Sequence, residues 1–137
     1  MTAGELSAWL EEVWPGTTSA YVIEDIGPRM ARVRMKFSQE RLRPGGIVAG
    51  PALMALADMA VWVAVLGEVG LEPMCVTIDL NIHFLRPAPP GDVVADVRLH
   101  KVGKRMAVGD VVMRSDALED DKGPVAHSTV TYAVPPS

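Results

Sequence analysis

The chain is short of several things, and each shortage excludes a class of explanation. It holds a single cysteine, Cys75, so an internal disulfide and a cysteine-rich metal site are both ruled out. Basic residues are outnumbered, 13 Lys and Arg against 17 Asp and Glu, which argues against a nucleic-acid surface. The first residues, Met-Thr-Ala-Gly-Glu-Leu-Ser-Ala-Trp, lack the basic start and apolar run of a signal peptide. No repeat or low-complexity stretch interrupts the 137 residues, a length that suits one domain spanning 1–137. What is plentiful is apolar side chain, at 49%, enough for a real core.

One charge stands out by its isolation. Between Pro44 and Gly67 the chain carries one ionisable group, Asp58, in the middle of an apolar helix. A carboxylate taken out of water is costly unless it is paired, hydrogen-bonded or hydrated. Asp58 lies about two turns past the helix start, too deep to cap it. A residue that breaks local consistency in this way marks a candidate site. The surrounding run is short for a membrane span and carries its charge at the centre, so a buried core helix is the expectation.

Patterning fills in the rest. Residues 5–14 place Leu6, Trp9, Leu10 and Val13 at helical spacing before Pro15-Gly16. Residues 21–26 and 29–37 read as a hairpin whose second strand has a basic outer face. Residues 38–48 read as a loop. The long helix follows, with Pro51 in its first turn and Gly67 and Gly70 bracketing its end. Four strands are expected at 76–85, 92–102, 105–116 and 125–134, joined by turns too short for parallel crossovers. In the first of these, Ile78, Leu80, Ile82 and Phe84 alternate with Thr77, Asp79, Asn81 and His83. Asp79 and His83 are more than about 12 Å apart on a strand and cannot chelate one ion directly. His100 and His127 read as lone structural histidines. The fold class is α+β, one long apolar helix wrapped by five to six curved antiparallel strands, with a short helix in front.

Two blocks carry a resemblance. The first is Ala49-Gly50-Pro51 followed by Leu56-Ala57-Asp58-Met59-Ala60. The second is Thr77-Ile-Asp79-Leu-Asn81-Ile-His-Phe84-Leu-Arg-Pro87-Ala88. With their spacing they resemble hotdog-fold acyl-CoA thioesterases of the phenylacetate-degradation type, over about residues 16–134. The resemblance implies that Asp58 acts as general base or nucleophile on a thioester. It implies that the Gly50 N–H helps stabilise the oxyanion, and that Thr77 places the water or the carboxylate. It also implies an active site between two subunits, hence a homodimer and often a dimer of dimers. Where the family carries a His, this chain has Ala49; its second Gly is Pro51, and an upstream Asn falls on Arg43. A binder of acyl-CoA without turnover is therefore the alternative to a hydrolase. A hydratase on the same fold would want a His on the helix segment, and there is none.

The expected substrate side includes an adaptable apolar pocket with Met54 and Trp62. Lys101, Lys104 and Arg105 flank the tight turn at Gly103, and Arg86 ends a strand; these cations suit the phosphates of coenzyme A. No metal and no cofactor beyond the coenzyme A of the substrate is expected. The remaining expectations are no nucleic-acid partner, no membrane contact and a cytoplasmic location.

Overall fold

A computed structural model describes residues 1–136. A first helix, α1 (Ala3–Val13), begins at Thr2. The Thr2 hydroxyl accepts from the Glu5 N–H at 3.1 Å and the Glu5 carboxylate accepts from the Thr2 N–H at 3.3 Å, a capping box. A single turn, α2 (Thr17–Ala20), leads into the hairpin of β1 (Tyr21–Gly27) and β2 (Met30–Met35). The segment expected as a plain loop holds a 3-10 turn, Gln39–Arg41, and a small ladder of β3 (Leu42–Arg43) with β4 (Ile47–Val48). Then come α3 (Gly50–Val69), β5 (Val76–Phe84), β6 (Val93–Val102), β7 (Met106–Ser115) and β8 (Ala126–Ala133).

The main sheet is six-stranded and antiparallel, in the order β1-β2-β6-β7-β8-β5. β6, β7 and β8 form a meander, whereas β5 returns to the far side of β8 and becomes an edge. α3 lies across the sheet and contacts all six strands. By length and composition α3 could cross a membrane. From Leu56 to Leu66 every one of its side chains except Asp58 is buried. The inner faces of Val33, Ala95, Val111 and Val130 supply the other half of this core.

The sheet wraps α3 as expected and leaves Pro51, Met54 and Ala55 exposed, a stripe at helical spacing that runs down to half-buried Asp58. Two other expectations are corrected here. Gly67 does not end the helix but sits inside it. A Cβ there would lie 2.7 Å from Cδ1 of Ile26, so the glycine serves close packing, and Gly70 at φ 102° makes the stop. Strand β5 does not alternate cleanly. Its register against β8 shifts between Thr77 and Asp79, leaving Ile78 as the extra residue of a bulge. Thr77 therefore turns to the inner face with Leu80 and Ile82, not outward with Asp79, Asn81 and His83.

The basic outer face of β2 is neutralised by neighbouring acids. Arg32 pairs with Asp96 at 2.7 Å, and Arg34 pairs with Glu24 at 2.7 Å, Asp92 at 3.3 Å and also Asp116. Nor are the histidines isolated. On the outer face of the meander, His100 Nε2 lies 2.9 Å from Asp110 and His127 Nε2 3.7 Å from the same carboxylate. Burial raises the Asp110 pKa, but the His100 contact and the Thr129 hydroxyl bond outweigh it and hold the carboxyl below its ordinary value.

Candidate active site

Asp58 opens into a cavity of about 670 Å³ at the middle of α3. Its walls include Trp14, Tyr21, Met59, Trp62, Cys75 and Thr77. That volume is in the range of small-molecule sites. The aromatic wall has a local cause. Helix α1 buries Leu6 and Leu10 against the core, and Trp9 packs beside them on the same side. Trp9 and Trp14 then stand 6.0 Å and 6.2 Å from Trp62, ring centre to ring centre. The Trp62 indole N–H is buried with no hydrogen-bond acceptor among the described residues.

The carboxylate is held from the sheet. Thr77 Oγ1 donates to Asp58 Oδ1 at 2.6 Å, and the Tyr132 hydroxyl donates to the same oxygen at 2.6 Å. The Tyr132 oxygen is also 2.9 Å from the Asp58 carbonyl, but the ionised acceptor is the stronger partner for its one hydrogen. Among the described residues nothing donates to Oδ2. Tyr132 is 4% exposed; burial, and then its bond to Asp58, push its pKa well above the ordinary tyrosine value. Burial likewise raises Tyr21 and Cys75, so both stay protonated near neutral pH.

Sequence did not single out Tyr132. An aromatic residue on an alternating strand looks like ordinary core. The β5 bulge, which aims Thr77 at Asp58, was equally silent.

A second cavity, about 830 Å³, lies at the start of α3. Arg43, Ala49, Gly50, Pro51, Phe84 and Arg86 all line it. Pro51 has no N–H, and the Ala52 and Leu53 amides turn back to the Ala49 carbonyl at 3.0 Å and 3.3 Å. The Gly50 amide is thus left without a protein acceptor among the described residues, at the positive end of a 20-residue helix. The Phe84 ring presses on it, 3.3 Å from where a Cβ would stand. Of the cations here, Arg43 donates to the Pro44 carbonyl at 3.1 Å and Arg86 to that of Pro124.

Within one chain these parts do not meet. Asp58 is eight residues beyond Gly50, about 12 Å along the axis, and lines the other cavity. The Gly103 turn, with Lys104 and Arg105, lies by Val69 and Glu72 at the opposite end of α3, roughly 28 Å from Gly50. Lys101, just before it, is exposed, and Met54 lines neither cavity. No group of three His, Cys, Asp or Glu among the described residues is placed to hold a metal ion.

The chain thus carries, in two separate cavities, a carboxylate with one uncommitted oxygen and a free helix-start amide, two kinds of group that acyl transfer by hydrolysis uses. Comparison with known proteins gives the family. The model of the thioesterase superfamily matches residues 45–121. A Halobacterium salinarum protein provisionally named an esterase is 31% identical over 108 residues, 74% of this chain and 70% of its own. The crystal structure of a provisionally named thioesterase from Silicibacter sp. TM1040 superposes with a TM-score of 0.89 at 38% identity, covering 99% of this chain and 93% of that one. A mutant phenylacetic acid degradation protein from Thermus thermophilus shares the fold, with a TM-score of 0.72 at 22% identity over 93% and 99% of the two chains. The chain has the hotdog fold and belongs to the thioesterase superfamily, as a thioester hydrolase.

Proposed function

We propose that this hydrolase acts on acyl-CoA as a homodimer, with Asp58 as general base or nucleophile and the Gly50 amide as oxyanion donor. The observation that carries the reading is the Asp58 carboxylate, bonded on Oδ1, bare on Oδ2 and open to an apolar cavity. As a base it takes a proton from water as the oxygen adds to the thioester carbon. As a nucleophile it adds there itself, and water later cleaves the anhydride. Either way the carbonyl oxygen gains charge that the Gly50 N–H can meet, the C–S bond breaks, and the thiolate leaves to be protonated.

The edge strand supports the dimer. β5 is unpaired on one side and exposes Val76, Ile78, Phe84 and the adjoining Leu85. Its Val76 end borders the Asp58 cavity, and its Phe84 end borders the Gly50 cavity. Antiparallel pairing of β5 with a second copy, centred near Leu80, sets the Val76 end of one strand beside the Phe84 end of the other. Each Asp58 cavity then adjoins the Gly50 cavity of the second copy, and the exposed Pro51–Met54–Ala55 stripe is covered. The cationic turn falls on the same side. Met106, next to it, is aligned through Ala133 with Val76, two strands or about 10 Å across. Lys104 and Arg105 can thus meet phosphates of a coenzyme A whose thioester lies between Asp58 and Gly50. Trp62 and Met59 border the acyl group, and Met54 flanks it from the covered stripe.

The test is release of coenzyme A thiol from short, medium and aromatic acyl-CoAs, by wild type and Asp58→Asn. Wild type should turn over at least one member, and the variant should lose about 100-fold or more. Equal trace rates across the whole panel would sink the proposal. Tight acyl-CoA binding without turnover would favour a non-catalytic binder, the reading that Ala49 leaves open.

A further inference from the structure

The two oxygens of Asp58 have different surroundings. Oδ1 receives the Thr77 and Tyr132 hydroxyls, each at 2.6 Å, and nothing among the described residues reaches Oδ2. The two hydroxyls come from residues that face each other in the β5–β8 ladder, so their separation is set by backbone pairing. A lone aspartate on a helix has a broad, two-fold χ2 and interchanges its oxygens readily. Two donors converging on one oxygen remove that freedom. Thr77 alone is a weak constraint, because it is exposed and its hydroxyl can rotate to water. Tyr132 is buried, and its hydroxyl sits at the end of a rigid ring.

We propose that Tyr132 is a positioning residue for thioester hydrolysis. With Thr77 it occupies Oδ1 of Asp58 and so makes Oδ2 the oxygen that meets the attacking water or the acyl carbon. The inference rests on Asp58 being the reactive carboxylate, as proposed above. Tyr132 remains protonated and passes no proton to the substrate. The other titratable groups near this pair are Tyr21 at the start of β1, Cys75 and Glu72 before β5, and Arg41 beyond Tyr21. None of these donates a hydrogen bond to the Asp58 carboxylate.

The experiment compares wild type, Tyr132→Phe and Thr77→Val. Tyr132→Phe keeps the ring and removes the donor. It should lower kcat by about 10- to 100-fold while KM changes little, the signature of a displaced reacting group. A second readout does not depend on turnover. In a crystal structure of Tyr132→Phe the Asp58 carboxylate should turn about χ2 from its wild-type orientation, with the surrounding fold unchanged. If that variant does not fold, 3-fluorotyrosine at position 132, a stronger donor of nearly the same shape, should change kcat by a few-fold with KM near the wild-type value. A purely structural Tyr132 would alter stability and leave kcat and the carboxylate orientation in place, and that pattern overturns the inference. A wild type inactive on every acyl-CoA would count against the acyl-CoA reading, while the carboxylate orientation in the variant still decides the role of Tyr132.

Discussion

Thr77 and Tyr132 face each other across the β5–β8 ladder, and their hydroxyls converge on one oxygen of Asp58. The bulge at Ile78 makes this possible, since a clean alternation would send Thr77 and Leu80 to opposite faces. Thr77→Val keeps the branched shape and removes the donor. Its kcat should fall about tenfold, the equivalent of about 1.4 kcal/mol, less than for a buried bond because water can replace an exposed hydroxyl. Thr77→Ser should stay close to wild type. If Thr77→Val is fully active in a thiol-release assay, the exposed hydroxyl has no part in holding the carboxylate.

The composite site proposed above makes a strong demand on mixed dimers. Asp58→Asn removes the carboxylate, and Gly50→Val crowds the amide against Phe84, where even a Cβ stands at 3.3 Å. Each homodimer should be nearly inactive. In a co-expressed mixture half of the dimers are mixed, and each of these rebuilds one of its two sites from an intact Asp58 and an intact Gly50. Activity should therefore recover to about a quarter of wild type, by the symmetry of a two-fold interface. No recovery above the parents, in a mixture shown by mass spectrometry to contain mixed dimers, would place both groups in one chain or remove one of them from the chemistry.

Much of this was legible in the sequence, for identifiable reasons. Asp58 announces itself because a single charge in an apolar helix has no cheap structural explanation. Gly50 announces itself because Gly-Pro opens that helix. The rest depends on partners that lie far away along the chain. Tyr132 is 74 residues from Asp58 and sits on an alternating strand, where period-2 patterning sees only another inward side chain. The bulge is invisible to the same pattern, because one extra residue changes the facing of Thr77 without changing composition. The contact of His100 and His127 with Asp110 had a usable signal. Three consecutive strands joined by short turns form a meander, and pairing them in order sets Arg98 beside Asp110 and Asp110 beside Thr129. The incomplete cover of α3 had none, since an all-apolar helix reads the same whether its last face meets its own sheet or a second copy.

Gly67 offers a test of packing that is separate from chemistry. Alanine in place of glycine inside a helix is ordinarily favourable by about 1 kcal/mol. Here the added Cβ would stand 2.7 Å from Ile26 Cδ1, closer than carbon atoms tolerate. Overpacking of this kind costs about 1–3 kcal/mol, so the net change in Gly67→Ala should be a loss. Ile26→Val removes the Cδ1 methyl. In the double variant the helix gain should be recovered, with a higher Tm than Gly67→Ala alone. A Gly67→Ala protein more stable than wild type would mean that Ile26 rotates away freely.

The pH dependence of stability should bend at the alkaline end. Tyr132 and Tyr21 both have folded pKa values raised above the ordinary tyrosine value, in each case first by burial. A raised pKa means that the folded state keeps a proton which the unfolded chain gives up. The stabilisation is complete below the unfolded pKa, near 10, and is lost as pH rises from there through the folded pKa. Each such group adds a slope of about 1.4 kcal/mol per pH unit within that window. Tyr132→Phe removes the larger of the two contributions, so its stability should fall less steeply above about pH 10 than that of wild type, whatever the offset between them at neutral pH. Urea midpoints measured from pH 8 to 11 give the two slopes directly. Parallel curves would mean that the phenol ionises as easily in the fold as outside it, which a ring buried against an ionised Asp58 does not permit.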